Sequence, residues 1–266
     1  MVLEGDNLPL MRALEDGIAT LIYADPPFNT GTKQVRRALR TTSDEDGDRT
    51  GFGGRRYATL EVGRLEYEDA FDDYLSGFLM PRLTEMHRLL ADDGTLYLHL
   101  DYREAHYAKV ALDGLFGRAC FLNEIIWAYD YGGKPRTRWP AKHDTILVYV
   151  KDPARYVFDA DAVDREPYMA PGLVGPEKAA RGKAPTDVWW HTIVSPTGRE
   201  KTGYPTQKPE GIVRRMVQAS TRPGDLCLDP FAGSGTLGAV ASALGRRYLL
   251  MDERPEAIRV MRDRLG

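Results

Sequence analysis

The chain has 266 residues, 42% hydrophobic and 28% charged, with two cysteines and a formal net charge of −3. That length suits one large domain or one domain carrying an elaborated insertion. Two cysteines exclude a disulfide framework and fit a reducing cytoplasm, no apolar run approaches the ~18 residues of a membrane span, and the first ten residues, MVLEGDNLPL, lack the basic flank and apolar block of a secretory signal.

In chain order, VLEG (2–5) and TLIYA (20–24) read as short buried strands, with LPLMRALEDG between them as a helix ending at Gly17. Residues 29–70 have no sustained period, and TTSDEDGDRTGFGGRR (41–56) within them is polar and glycine-rich, the composition of a mobile loop. Lys33, Arg36, Arg37 and Arg40 form a run free of acids there. From 72 to 90, Leu75, Phe78, Leu79, Leu83, Met86 and Leu90 keep helical spacing, and Asp93-Gly94 turns the chain into strand TLYLHL (95–100). A helix over 103–116 is expected to turn Tyr107, Val110, Ala111 and Leu115 inward, followed by strands at 123–129 and 145–150. Between those strands Lys134, Arg136, Arg138 and Lys142 sit among Tyr129, Tyr131 and Trp139. Each basic stretch is either a solvated face or a phosphate-contacting surface. Residues 152–204, rich in proline and glycine, read as an insertion on the main fold. Regularity returns with a helix at 207–220, a strand at 225–229, a glycine turn, a helix at 234–245, a strand at 247–251 and a final helix at 255–265. Alternating strands and helices indicate an α/β fold with a mostly parallel sheet.

LDPFAGSGTLG (228–238) follows a strand and opens a helix, so its main-chain amides can approach a ligand closely. Gly233, Gly235 and Gly238 satisfy GxGxxG, and Asp252 ends the next strand, where an acid accepts from ribose hydroxyls. A nicotinamide dehydrogenase would fit these residues, but only fourteen residues follow Asp252, too few for the strand-helix units such a fold builds after its fingerprint. The rest of the sheet is therefore expected from earlier sequence, a circularly permuted order.

LIYADPPFNTG (21–31) runs from a buried strand into an acid, two prolines and an aromatic. Ligands of open α/β sheets sit beyond the carboxyl ends of the strands, where Asp25 to Phe28 emerges. Pro26 and Pro27 carry no N–H and fix the local carbonyls, Asp25 adds a carboxylate and Phe28 a flat apolar face. This set suits a planar ring bearing an amino group, with the ring stacked and the two amino hydrogens accepted by the carboxylate and a main-chain oxygen. An exocyclic amine is a weak nucleophile because its lone pair is delocalised; fixed acceptors aim that pair outward. A base inside a duplex reaches such a pocket only when flipped out.

DPPFNTG, TGYPTQKPE and LDPFAGSGT, in that order, resemble the beta class of DNA amino-methyltransferases, and FLNEIIWAYDYGG and RRYLLMDERPE extend the likeness over nearly the whole chain. The resemblance implies S-adenosylmethionine as cofactor and a Rossmann-like seven-stranded methyltransferase sheet, mostly parallel with one antiparallel strand. It implies that Asp25, Pro26, Pro27 and Phe28 form the catalytic corner. Asp229, Phe231, Gly233 and Gly235 would shape the cofactor turn, Asp252 would take the ribose, Asp6 and Asn7 would lie near the cofactor adenine, and Thr206, Gln207 and Lys208 would approach its methionine end. The implied reaction is direct attack of the amine on the sulfonium methyl; DPPF leans toward adenine N6, with cytosine N4 and a non-catalytic DNA-binding module as the alternatives. Phe28 stands where tyrosine is commoner in the family, and His191 where relatives often carry an acid. Double-stranded DNA is the implied partner; a second copy of the chain and a restriction nuclease are further partners that the family admits.

On this reading residues 1–151 are the catalytic half with the mobile loop 29–70, 152–204 are an inserted target-recognition region, and 205–266 are the cofactor-binding half. Arg136, Arg138, Lys183 and Arg199 are its candidates for DNA contact. A carbon-5 cytosine enzyme would need a nucleophilic cysteine after proline, whereas Ala119 precedes Cys120 and Leu226 precedes Cys227. No metal site is expected: His99 and Asp101 share a strand face, but the histidines are scattered.

Overall fold

The computed structural model describes residues 1–30, 34–43, 49–50, 56–67, 71, 73–195 and 197–266. It divides into two units, Met1–Phe28 with Leu75–Gly266, and Asn29–Tyr74. The larger begins with β1 (Val2–Glu4), α1 (Asn7–Arg12) and β2 (Ala19–Ala24). The smaller contains β3 (Gln34–Ser43), β4 (Arg49–Thr50) and β5 (Arg56–Tyr67). The larger then continues through α2 (Met80–Leu89), β6 (Leu90–Leu100), α3 (Ala105–Phe116), β7 (Phe121–Ala128), β8 (His143–Val150), α4 (Pro176–Arg181) and β9 (Val188–Trp190). It closes with α5 (Glu210–Ser220), β10 (Leu226–Asp229), α6 (Thr236–Ala243), β11 (Arg247–Asp252) and α7 (Pro255–Leu265).

β2 is buried at all six positions, as a strand covered on both faces must be. It lies inside an eight-stranded sheet of order β1-β11-β10-β2-β6-β8-β7-β9. The strands from β1 to β6 run parallel, β8 runs antiparallel to both of its neighbours, and β9 is parallel to β7. The expected Rossmann-like sheet with one antiparallel strand is therefore present, with one strand more than the seven anticipated. The eighth is β9, pairing Ile126 with Val188 and Ala128 with Trp190. Its three residues lie in the segment read as an insertion, too short to leave a period in the sequence.

Helices α5, α6 and α7 cover one face, where Ile212, Met216, Leu237, Val240, Ile258 and Met261 pack with Leu21, Tyr23, Cys227 and Leu250 in one cluster. Neighbouring helices α1, α2 and α3 bury Met11, Leu83, Met86, Leu89, Ala108 and Leu112. Each fully buried Leu or Met contributes roughly 1.5–3 kcal/mol.

Two expectations are corrected. α3 buries Ala105, Ala108, Leu112 and Phe116, while Tyr107 and Val110 are 65% and 73% exposed. The loop expected over 29–70 contains strands: β3 pairs antiparallel with β5 from Gln34↔Tyr67 to Ser43↔Tyr57, and β4 joins the other edge of β5. A register shift between Ala38 and Leu39 breaks the alternation by which a strand is read from sequence. Arg36, Arg37 and Arg40 lie on β3; Lys33 and residues 44–48 and 51–55 of the glycine-rich stretch lie outside the described residues.

Candidate active site

Parallel neighbours end on the same side of a sheet, and the carboxyl edge here collects acids. Asp6 follows β1, Asp252 ends β11, Asp229 ends β10, Asp25 follows β2, and Asp101 follows β6. β8 starts at that edge with His143 and Asp144, and β7 leaves it through Tyr129. The acid-proline corner and the glycine turn, more than 200 positions apart in sequence, thus leave adjacent strands β2 and β10 on one side of the sheet.

Lys208 links the two. Its ammonium donates to Asp25 Oδ2 at 2.5 Å and lies 5.0 Å from the Phe28 ring centre, while its carbonyl accepts the Thr236 hydroxyl at 3.1 Å. The pair is largely buried, with side-chain exposures of 12% and 17%. Asp25 Oδ1 is buried with no hydrogen-bond partner among the described residues; its neighbour Pro26 has no N–H to offer. A buried charged oxygen without a donor is expensive, on the order of 1–3 kcal/mol or more, so it marks a place built for something else to bind.

The glycine turn is organised by two carboxylates. Asp229 Oδ1 accepts the Phe231 N–H at 2.9 Å, and Asp252 accepts the Gly233 N–H at 2.9 Å and the Arg254 N–H at 3.0 Å. Gly233 and Gly235 have φ of +50° and +70°, the left-handed region where a side chain is strained. A Cβ on Gly233 would lie 3.2 Å from the Tyr204 ring, and one on Gly235 would lie 2.8 Å from Met261 Cγ. Gly235→Ala is therefore expected to destabilise the fold by about 2 kcal/mol, from left-handed strain and displacement of Met261; urea unfolding measures it, and an unchanged midpoint would contradict the packing. Arg264 closes the arrangement by donating to the Ser234 carbonyl at 3.0 Å and to Glu210 at 2.6 Å.

Burial pushes the Asp229 carboxyl well above the usual range, and the negative charges of Asp25 and Asp252 add to this against the Phe231 N–H. Asp252 is raised chiefly by burial, opposed by the main-chain N–H groups of Arg254 and Gly233. A carboxyl raised in the folded state contributes stability below the ordinary aspartate value of about 3.9, and that contribution is lost as pH climbs through the folded value. Asp229→Asn keeps an oxygen for Phe231 and cannot titrate. Its unfolding free energy is expected to gain on the wild type by about 1.4 kcal/mol for each pH unit of that window; parallel stability-pH curves would refute it.

Several anticipated cofactor residues serve the scaffold. Asn7 donates to the Pro230 carbonyl at 2.7 Å and accepts from Arg82 at 2.7 Å, while Asp6 caps α1 at Leu8 and accepts from Arg82 at 2.8 Å. Both hold the start of α1 near the glycine turn, and Arg82, which no sequence pattern singled out, fixes them. Gln207 ties its own loop by donating to the Glu200 carbonyl and accepting from Thr202. Thr206 sits at φ +58°, a strained value for a β-branched residue. Phe231 lies 6.2 Å from Phe78, ring centre to ring centre.

Behind the corner lies a group that the sequence did not reveal: Tyr23, His99, Trp127, Tyr129 and Asp144. His99 is fully buried between Tyr23 and Asp144. A polar residue inside the apolar runs TLYLHL and HDTILVYV was the available signal. His191 packs on α5: a Cβ on Gly211 would lie 2.2 Å from its Nε2. Cys120 and Cys227 are buried and free, and burial raises both thiols, Cys227 to about 12. Among the described residues, no cluster suited to a metal and no helix long and apolar enough to cross a membrane is present. Arg136, Arg138 and Arg199 are exposed, whereas Lys183 is paired with Glu166 at 3.4 Å.

Known proteins resemble this chain in sequence and in fold. Residues 19–263 match the model of the N6/N4 DNA methylase family. DNA adenine methyltransferase YhdJ of Escherichia coli is 30% identical, over 97% of this chain and 80% of its own length. Type II methyltransferase M.HpaI of Haemophilus parainfluenzae is 32% identical, over 96% and 70%. Among solved structures, M1.HpyAVI in complex with SAM superposes with a TM-score of 0.62 at 20% identity, over 100% of this chain and 98% of that one. The cytosine-N4-specific PvuII DNA methyltransferase superposes at 0.65 with 17% identity, over 100% and 86%, a likeness of fold. With its acid-proline corner and glycine turn on one edge of this sheet, the chain belongs to the N6/N4 DNA methylase family.

Proposed function

We propose that this methylase transfers a methyl group from S-adenosylmethionine to the N6 amino group of adenine in double-stranded DNA. The observation that carries the reading is the Asp25 carboxylate: one oxygen is held by Lys208 and the other is buried without a donor among the described residues, beside the Phe28 ring. An exocyclic amino group supplies the missing hydrogen, and an extruded base supplies a face for Phe28. The name of the Escherichia coli relative supports adenine over cytosine.

The residues of the glycine turn and of the end of β11 fit a nucleoside cofactor. Asp252 spends its carboxylate on two main-chain donors and keeps acceptor capacity for hydroxyls. At φ +50°, and with the Tyr204 ring 3.2 Å from where a Cβ would sit, Gly233 keeps the turn as bare main chain. Asp252, Phe231, Gly233 and Gly235 would hold the group, with Asp6, Asn7 and Asp229 shaping their surroundings. Bound there, S-adenosylmethionine supplies an electrophilic methyl on a positively charged sulfur. Asp25 Oδ1 and the Pro26 carbonyl accept the two amino hydrogens and orient the nitrogen lone pair, while Phe28 and Lys208 fix the position of ring and carboxylate.

Target reading is assigned to 152–204 together with 129–142, where Trp139 is 94% exposed beside exposed Lys134, Arg136 and Arg138. An aromatic next to cations combines base stacking with phosphate contact. Digestion of plasmid DNA after incubation with the protein and S-adenosylmethionine tests the whole reading: N6-methyladenine is expected, N4-methylcytosine would overturn the choice of base, and unmodified DNA would overturn the activity.

A further inference from the structure

Alkylating an amine releases a proton, and the molecule holds a buried acceptor behind the residue that first meets it. His99 Nε2 lies 3.1 Å from Asp144 Oδ2, and its Nδ1 lies 2.9 Å from the Tyr23 hydroxyl and 3.9 Å from Asp25 Oδ1. Tyr129 donates to the other oxygen of Asp144 at 2.9 Å. The rings of Phe28 and Trp127 flank the imidazole, at 5.8 and 5.6 Å between centres. A carboxylate at Nε2 fixes the tautomer: Nε2–H donates to Asp144, which leaves the Nδ1 lone pair to accept from Tyr23. Burial would raise Asp144, but the hydrogen bond from His99, the charge of Lys208 and the bond from Tyr129 hold it below the usual carboxylate range. Burial and nearby carboxylates push Tyr23 and Tyr129 upward, so both stay neutral.

We propose that His99, braced by Asp144, is a positioning residue that works through Asp25 and takes up the proton of the methylated amine. The inference rests on the amino-methyltransferase reading above. In the step, the amine nitrogen uses its lone pair to form the bond to the methyl carbon, and the carbon–sulfur bond breaks with its electron pair staying on sulfur. The alkylated nitrogen, now cationic and acidic, gives one proton to Asp25 Oδ1 and keeps the N–H electron pair. Asp25 passes that proton to Nδ1 of His99, Tyr23 turns its hydroxyl to accept, and the imidazolium stands between two carboxylates. The titratable and charged groups around it are Tyr23 and Asp25 from β2, Asp144 from β8, Tyr129 after β7, Lys208 before α5, and Asp101 with Arg103 after its own strand.

Single-turnover methyl transfer to plasmid DNA, followed against pH on the full chain, tests this. The wild-type rate is expected to fall on the acid side, as a route that needs a free proton acceptor does. His99→Gln keeps a hydrogen-bonding side chain that cannot take up a proton; about a 100-fold slower transfer with cofactor and DNA affinities intact and no such acid limb is expected. Asp144→Asn still accepts from Nε2 but stabilises the imidazolium less, so its acid limb moves to lower pH. It decides alone if His99→Gln does not fold. An acid limb in the wild-type position in the folded variants overturns the inference, because a merely structural histidine would leave it there. A wild type that transfers no methyl group would overturn the underlying reading instead.

Discussion

Asp25→Ala is expected to reduce methyl transfer by about 1,000-fold, the upper end of what one preorganised polar group contributes at a reacting centre. On the proposed reading the carboxylate both holds the amine and aims its lone pair, and the flanking Pro26 and Pro27 are apolar and offer no side-chain substitute. Stability is expected to change far less than activity. The substitution strips Lys208 of its counter-charge, but it also removes the oxygen that has no donor among the described residues. These effects oppose each other, which leaves a net loss of about 1–2 kcal/mol. Methyl incorporation and urea unfolding on the same preparation check both parts. Transfer within tenfold of wild type would remove Asp25 from the chemistry.

Lys208→Met should show the reverse balance, with the larger effect in stability. Its ammonium is the donor on Asp25 Oδ2, and the pair is shielded enough that solvent screening is weak. Removing one partner of a buried pair costs roughly 3–5 kcal/mol, because the other charge is left without compensation. Asp25 would then have both oxygens unmet. Met fills much of the space of the Lys stem, so lost packing contributes little. A double-mutant cycle isolates the charge term: Asp25→Asn combined with Lys208→Met should recover about 2 kcal/mol of the single-variant loss. Additive losses would mean that the two groups do not share one interaction.

Where local sequence and local structure agree, one physical period explains it. α5 was legible because Ile212, Val213, Met216 and Val217 recur at helical spacing, and the same four are buried. α3 was misread because its burial face uses two alanines, which carry little hydropathy, while Tyr107 and Val110 advertise the opposite face. The site divides in the same way. DPPF and the glycine turn are contiguous motifs whose backbone constraints can be read residue by residue. The contact of Lys208 with Asp25 spans 183 positions and follows from strand order, and His99, Asp144 and Tyr129 meet only because β6, β8 and β7 are adjacent. No spacing rule along one chain encodes those meetings.

With target reading proposed for 152–204, the three residues of β9 also constrain any attempt to redirect this protein to a new DNA sequence. Transplanting 152–204 from a relative would carry away the outermost strand, with the Trp127 indole that donates to the His191 carbonyl at 2.7 Å and the main-chain pairing of Ala128 with Trp190 both at stake. Chimeras whose downstream junction falls before Asp187 keep that edge native. Those that cross it must match the donor's strand to Ile126, Trp127 and Ala128, or the graft will loosen the wall on which Tyr129 and Asp144 stand.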